Sequence, residues 1–425
     1  MKIFLDTIGC RLNQAEIESL ANQFRKAGHE IVSTAGEANL AVVNTCTVTA
    51  EAASDSRAAI RRAKRLGAEI IVVTGCWATL EAESAAAMPG VQRIIPNQQK
   101  DRLVTDLLGL PQEFFDLEPL VRQPLPGLHK RTRAFIKAQD GCNNACTFCI
   151  ATFARGASHS RNAWDVIGDI QSALNGGTKE IVLTGVHLGS WGHDFKSPQH
   201  LSDLLTLLFA QTSIPRLRLS SLEPWDLEAD FFRLWSDSHL CRHLHLPLQS
   251  GSASVLKRMA RKTTPEIYAV LVASARATIP EVAITTDLIT GFPGETEDEF
   301  SETIEFVKTM GFAGGHVFTY STRPGTPAAC MKGQVRGDIA KKRSAVLRLV
   351  LAESAQAYRR KFIGKTMLVL WEAHTSPTDS GWQIEGLTDN YIRVVAQTSE
   401  PRWNRLDAVR LIAEMPEYLI GEIQE

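Results

Sequence analysis

Two sets of three cysteines carry the chemistry that this chain advertises. In the stretch "GCNNACTFCI", residues 141–150, Cys142, Cys146 and Cys149 are separated by three and then two residues. Thiolates held so close together suit zinc or an iron–sulfur cluster. A cubane cluster has four irons, so three cysteines ligate three of them and leave one open to a cofactor or substrate. Structural zinc would want a fourth ligand. His159 stands ten residues beyond Cys149, but nothing in its spacing recommends it, and zinc stays as the alternative. The second set is dispersed. "KIFLDTIGC", "NLAVVNTC" and "EIIVVTGC" are each a β-branched run that closes through small residues on a cysteine: Cys10, Cys46 and Cys76.

These cysteines need elements to bring them together. Helical patterns at 13–27, 50–66 and 78–87 follow the three runs, and strands alternating with helices predict a parallel sheet in an N-terminal α/β domain over 1–109. The carboxyl ends of such strands share one edge, where ligands bind, so Cys10, Cys46 and Cys76 are expected to converge there. The alternative is three unrelated buried cysteines. Residues 110–130 bear prolines without periodicity and read as a linker. From 131 to 364 a second α/β series offers the strands "AFIKAQ", "EIVLTGV", "RLRLSS", "HLHLPL", "VAITTDLITG" and "HVFTY". Six units are fewer than the eight of a closed barrel, so an open, partial (β/α)6 barrel is expected, closed by a long helix at about 339–362. Cys142, Cys146 and Cys149 follow its first strand, at the active-site end. Five short strands over 365–425 suit a small β-barrel of a kind that often binds nucleic acid.

Composition bounds the function. The 425 residues are 44% hydrophobic and 22% charged, values of a globular protein. No apolar run reaches the roughly 18 residues of a membrane span, and "MKIFLDTIGC" lacks the apolar core of a signal peptide. No membrane association and a cytoplasmic location are therefore expected. There, eight cysteines are ligands, catalytic groups or buried hydrophobes rather than a disulfide framework. Net charge is −1, but residues 366–425 hold 4 Lys and Arg against 10 Asp and Glu, leaving the remainder at +5.

The spacing CxxxCx(aromatic)C, with Phe148 before the last cysteine, resembles the signature of the radical S-adenosylmethionine enzymes. With the three earlier cysteines and the terminal barrel, nearly the whole chain resembles the methylthiotransferases, and most closely their tRNA threonylcarbamoyladenosine branch. The stretches that carry the likeness are "IGCRLNQAE" (8–16), "NTCTVT" (44–49), "GCNNACTFCI", "FARG" (153–156), "EIVLTGVHLG" (180–189), "HLHLPLQSGS" (243–252), "VLKRMARK" (255–262), "GFPGET" (291–296), "GTPAA" (325–329) and "TDNYIRVV" (388–395). The resemblance implies two [4Fe-4S] clusters. One, on Cys142, Cys146 and Cys149, would have its open iron chelated by S-adenosyl-L-methionine, which it would cleave to a 5′-deoxyadenosyl radical. The other, on Cys10, Cys46 and Cys76, would hold the sulfur to be added. The terminal barrel would be TRAM-like. The implied reaction replaces C–H by C–S–CH3 at carbon 2 of N6-threonylcarbamoyladenosine 37 in tRNA, with a flavodoxin- or ferredoxin-type reductant and a sulfur donor as further partners. Sister branches act on isopentenyladenosine 37 or on an aspartate of a ribosomal protein. A zinc-bearing RNA-binding protein without catalysis is the reading from another class.

Further candidates are weaker. Glu223, Gln249 and Ser250 lie at or after strand ends and would face the cofactor; Gly291 and Gly294 of "GFPGET" would let backbone approach it, or would simply make a tight turn. No residue is singled out as catalytic. His243 and His245 share one strand face and are expected to be structural. Arg155 and Arg161 either hold an anion or are ordinary surface arginines. Cys241 and Cys330 are expected to be structural. Basic runs at 57–65, at Lys130, Arg131 and Arg133, and at Lys257, Arg258, Arg261 and Lys262 could follow a phosphate backbone or be solvated faces. The acidic terminal segment sits uneasily with an RNA partner. Arg393, Arg402, Arg405 and Arg410 are its cations.

Overall fold

A computed structural model describes residues 1–111, 132–374 and 381–424. The expected linker lies almost wholly outside the described residues, as do Lys130 and Arg131.

The N-terminal segment forms a five-stranded, all-parallel sheet. Its strands are β1 (Lys2–Thr7), β2 (Glu30–Val32), β3 (Leu40–Thr45), β4 (Ile70–Gly75) and β5 (Val91–Ile95), in the order β2-β1-β3-β4-β5. β3 is central, and all six of its residues are buried, which is why "LAVVNT" reads as a continuous apolar run. Helices α1 (Arg11–Lys26), α2 (Ala50–Arg65), α3 (Cys76–Leu80), α4 (Ala82–Ala86) and α5 (Leu103–Leu108) cover the sheet. One face packs Ile3, Val42 and Val72 against Ile17 and Phe24; the other packs Val43 and Val73 against Ile60 and Ala63. The side chain of Thr49 caps α2 by accepting from the amide of Ala52.

The central segment is the expected open barrel. Strands β6 (Arg133–Lys137), β7 (Gln139–Asp140), β8 (His159–Ser160), β9 (Glu180–Thr184), β10 (Arg216–Leu219), β11 (His243–His245), β12 (Ala283–Thr290) and β13 (Gly314–Thr319) alternate with helices α6 (Ala151–Arg155), α7 (Ala163–Asn175), α8 (Leu201–Gln211), α9 (Ala253–Arg258), α10 (Pro265–Thr278), α11 (Glu297–Met310) and α12 (Gly337–Arg360). β6-β9-β10 and β11-β12-β13 are two parallel sheets, joined between β10 and β11 by a parallel bridge from Leu217 to Leu240. β7 and β8 form a separate two-stranded ribbon beside the cysteine loop. The barrel core stacks Leu183, Leu217, Leu244 and Leu288, each fully buried. Two expected strands are shorter than their apolar runs. "HLHLPL" is a strand only to His245, and "RLRLSS" stops at Leu219 because Ser221 adopts a left-handed backbone.

The terminal segment closes into a five-stranded barrel, β14 (Thr366–His374), β15 (Trp382–Thr388), β16 (Arg393–Thr398), β17 (Leu406–Glu414) and β18 (Leu419–Ile423), in the order β14-β15-β16-β18-β17. Val369, Trp371, Ile384, Val394, Val409 and Leu411 fill it. Among the described residues no helix is long and apolar enough to cross a membrane.

Candidate active site

Cys10 caps the amino end of α1 after β1, Cys46 follows β3, and Cys76 opens α3 after β4. The three strands are neighbours, so one sheet edge presents all three thiols. The chain is tight there. Gly9 has φ +104°, and a Cβ on it would lie 2.5 Å from Cys46 Cβ, so only glycine admits this approach. Burial pushes the Cys46 thiol up to about 11 and raises that of Cys10 against the pull of Arg155. Cys10 is exposed to a cavity rather than to the outer surface, which reconciles its open face with its depth. Asn97 Nδ2 donates to Cys76 Sγ at 3.5 Å.

Cys142, Cys146 and Cys149 lie half-buried on the loop between β7 and α6. Donors surround their sulfurs. The amides of Asn144 and Ala151 reach Cys142 Sγ and Cys149 Sγ at 3.4 Å each, and Arg261 Nη1 lies 3.8 Å from Cys146 Sγ. N–H groups aimed at sulfur favour a ligated thiolate. Without such a ligation, burial holds the Cys149 thiol up at about 12. His187 Nδ1 sits 4.0 Å from Cys142 Sγ, and its Nε2 is bonded to Asp226; burial opposes its charge, but those two partners hold its pKa at about 9.

The donor set fits cubane clusters better than zinc. Among the described residues no three His, Cys, Asp or Glu side chains gather as a single metal ion requires, and His159 instead bonds the carbonyl of Ala157. Thiolates that bind three different irons stand farther apart than ligands of one ion.

A buried polar network joins the two triads. Arg155, on α6 directly after the loop of Cys142, Cys146 and Cys149, donates to Asp140 at 2.9 and 3.0 Å, to Glu16 Oε1 at 2.9 Å and to Asn13 Oδ1 at 2.7 Å. Lys100 Nζ completes Glu16 at 2.7 Å, and Asn97 bonds the carbonyl of Ala154 at 2.8 Å. Arg155 therefore ties one cysteine loop to the domain that carries the other; the anionic groups it holds are the protein's own carboxylates, and it is not a surface residue. Arg161 is taken by Asp169 and the carbonyl of Lys137.

Beside Cys10, Cys46 and Cys76 lies a cavity of about 1180 Å³. Cys10, Cys46 and Cys76 line one wall; Ile150 and Ala151, next to Cys149, line another; His243, His245 and Asp287 line the barrel side. The terminal barrel supplies the last wall through Glu385, Leu387, Tyr391 and Arg393. Both histidines are thus at the cavity. His243 is buried, bonds Thr285 at 2.9 Å and stacks on Tyr391 at 4.4 Å, and burial keeps it neutral. His245 bonds Thr285 and Asp287.

The other predicted residues sit apart from that cavity's walls. Glu223 follows β10 and is gripped by Arg261 through both oxygens, at 3.1 and 2.7 Å, beside Cys146. Gln249 has φ +75° and bridges to Leu288. Ser250 is fully buried, and its hydroxyl pairs with Thr303 on α11. Gly291 has φ +73°, and a Cβ there would meet Ala340 of α12 at 2.4 Å; packing against that helix accounts for the glycine. Gly294 bonds the carbonyl of Gly333. Cys241 is buried as expected, whereas Cys330 is exposed and fills no core.

The basic runs divide. Arg61, Lys64 and Arg65 are exposed on α2, but Arg258 and Arg261 turn inward to Glu299 and Glu223, leaving Lys257 and Lys262 facing solvent. Sequence reasoning missed Glu16, Asn97, Asp140 and Tyr391, because their partners are remote in the chain. The only signals were that Glu16 lies inside "IGCRLNQAE" and Tyr391 inside "TDNYIRVV".

The family models agree with this architecture. Residues 2–95 match the model described as "Uncharacterized protein family UPF0004", and residues 136–307 match the Radical SAM superfamily. The solved radical S-adenosylmethionine methyltransferase TsrM from Kitasatospora setae shares the fold, with a TM-score of 0.58 over 77% of each chain at 16% identity. Fold and site together define a radical S-adenosylmethionine enzyme. The threonylcarbamoyladenosine tRNA methylthiotransferase MtaB of Bacillus subtilis (strain 168) is 36% identical over 96% of this chain and 92% of its own. The tRNA-2-methylthio-N(6)-dimethylallyladenosine synthase of Clostridium tetani is 33% identical over 91% of this chain and 88% of its own. The chain belongs to the radical S-adenosylmethionine methylthiotransferase family. That membership sets aside the reading of a zinc-bearing RNA-binding protein without catalysis.

Proposed function

We propose that this enzyme methylthiolates carbon 2 of N6-threonylcarbamoyladenosine 37 in tRNA, using S-adenosylmethionine and two [4Fe-4S] clusters. The observation that carries it is the single cavity walled by Cys10, Cys46 and Cys76 on one side and by the residues after Cys149 on the other. A base held there would lie against Cys10, Cys46 and Cys76 and next to the segment that follows Cys149. Relatives named for threonylcarbamoyladenosine, at up to 37% identity, support that nucleoside.

Cys142, Cys146 and Cys149 would hold the cluster that, when bound, supplies the electron for cleaving S-adenosylmethionine to a 5′-deoxyadenosyl radical. Cys10, Cys46 and Cys76 would hold the second cluster, with Asn97 donating to the Cys76 sulfur. Gly9 lets the first two of these thiols approach. Arg261 and the amides of Asn144 and Ala151 stabilise charge on the first set. The terminal barrel covers the cavity and limits entry of water. A flavodoxin- or ferredoxin-type reductant and a sulfur donor complete the partners, and the cytoplasm is the expected location. Relatives named for dimethylallyladenosine favour a second reading, the same chemistry on that nucleoside.

The test is anaerobic reconstitution followed by assay on tRNA bearing either nucleoside at position 37. We expect about eight irons per chain and a mass gain of one methylthio group on the threonylcarbamoyl nucleoside. Product only on the dimethylallyl nucleoside would select the second reading; about four irons would remove the second cluster.

A further inference from the structure

Arg11 follows Cys10 directly and lines the cavity beside the second triad. Its Nη2 donates to the Tyr391 hydroxyl at 3.0 Å. Among the described residues it forms no ion pair. Its neighbours are paired: Arg133 with Glu372, Arg216 and Arg218 with Glu180, and Arg242 with Asp389. Arg11 is the one of these five guanidiniums without a carboxylate.

Tyr391 is built into this corner at a cost. Its φ is +67°, a left-handed conformation that a bulky side chain rarely adopts. Stacking on His243, with rings 4° from parallel, fixes the ring. Arg218 lies 5.0 Å and Arg11 5.9 Å from the ring centre. Burial opposes ionisation of the phenol, but Arg11, Arg133 and Arg218 together draw its pKa below the ordinary value. The hydroxyl accepts from Arg11, so its own proton is free to be donated onward.

We propose that Arg11 and Tyr391 bind the carboxylate of the N6 substituent on the substrate adenosine, and so select an acidic substituent over an apolar one. The inference rests on the function proposed above. Carbon 2 of adenine and carbon 6, which bears N6, flank the same ring nitrogen. A base that turns carbon 2 toward Cys10 therefore lays its N6 substituent along the wall that Arg11 shares. A guanidinium and a phenol both donate to a carboxylate. A dimethylallyl group would leave the same half-buried guanidinium without an anionic partner, which is how a polar site rejects an apolar analogue.

The experiment uses the full-length, anaerobically reconstituted protein and three tRNAs that differ only at position 37: adenosine, threonylcarbamoyladenosine and dimethylallyladenosine. Binding affinity, KM and kcat are measured, with iron content as the check on the clusters. Arg11→Gln should weaken binding of the threonylcarbamoyl tRNA by about 10- to 100-fold, the loss of one charged hydrogen bond. Its affinity for the adenosine tRNA should stay unchanged. Arg11→Lys should recover part of the loss. Tyr391→Phe, far in sequence from any cluster cysteine, should weaken the same complex about fivefold, and it carries the test if Arg11→Gln loses iron. Equal affinities for variant and parent, or an equal loss on all three tRNAs, would overturn the proposal. If the parent protein itself turns over only the dimethylallyl tRNA, the proposed function fails and takes this assignment with it.

Discussion

Gly9 and Cys46 show how narrowly the second triad is built. A methyl group on Gly9 would fall 2.6 Å from Cys46 Sγ, and the backbone there is left-handed. Gly9→Ala should therefore displace a thiol and lower iron from about eight to about four per chain. Formation of 5′-deoxyadenosine should persist while methylthiolation is lost, and chromatography of the two products would separate these effects. Cys146→Ala should abolish both. Retention of methylthiolation by Gly9→Ala would show that the second triad is not used. The placement of the six cysteines was legible in the sequence because its signals are local: a fixed spacing in one loop, and the end of a β-branched run in the other three. For Ser250 and Gly291 the sequence left the structural role unread for a physical reason. Polar and glycine residues at strand ends also serve turns and helix packing, and the contacts that decide, to Thr303 and Ala340, lie about fifty residues away.

At the scale of elements, two buried charge clusters hold the domains in register. Arg155 on α6 is matched by Glu16 on α1 and Asp140 on β7. Arg155→Met leaves two buried carboxylates with less compensation and should cost about 3–5 kcal/mol. Urea unfolding of the metal-free protein measures it; a change under 1 kcal/mol would mean that packing alone docks the domains. Glu180 on β9 pairs with Arg216 and Arg218 on β10, whose guanidiniums bond the carbonyls of Leu387, Thr388 and Asp389 in the terminal barrel. Burial disfavours its charge, but Arg218 and Arg216 hold its pKa at about 2, below the ordinary 4.5. A lowered carboxyl pKa contributes stability above pH 4.5 that is lost as pH falls toward 2. Glu180→Gln should flatten that part of the stability profile. An unaltered acid limb would remove Glu180 from the account. The strands and helices themselves were readable from periodicity, but these pairings were not, since nothing in "EIVLTGV" or "RLRLSS" says which strands are neighbours.

For the whole molecule, the acidic terminal barrel ceases to conflict with an RNA partner. Part of its negative charge is spent on docking: Glu372 to Arg133, Asp389 to Arg242, and Glu414 to Arg360. Arg393 stays exposed at the cavity, 4.0 Å from Glu385. Arg393→Glu should weaken tRNA binding and reduce the salt dependence of log affinity by about 0.9, one phosphate contact. An unchanged slope would place the phosphate backbone elsewhere, for which the exposed cations of α2 are the next surface to alter. The measurement that tests the central claim most directly is mass spectrometry of nucleosides from tRNA of cells lacking this gene. The 2-methylthio form of threonylcarbamoyladenosine should disappear while its unthiolated precursor accumulates. An unchanged nucleoside profile would contradict that claim.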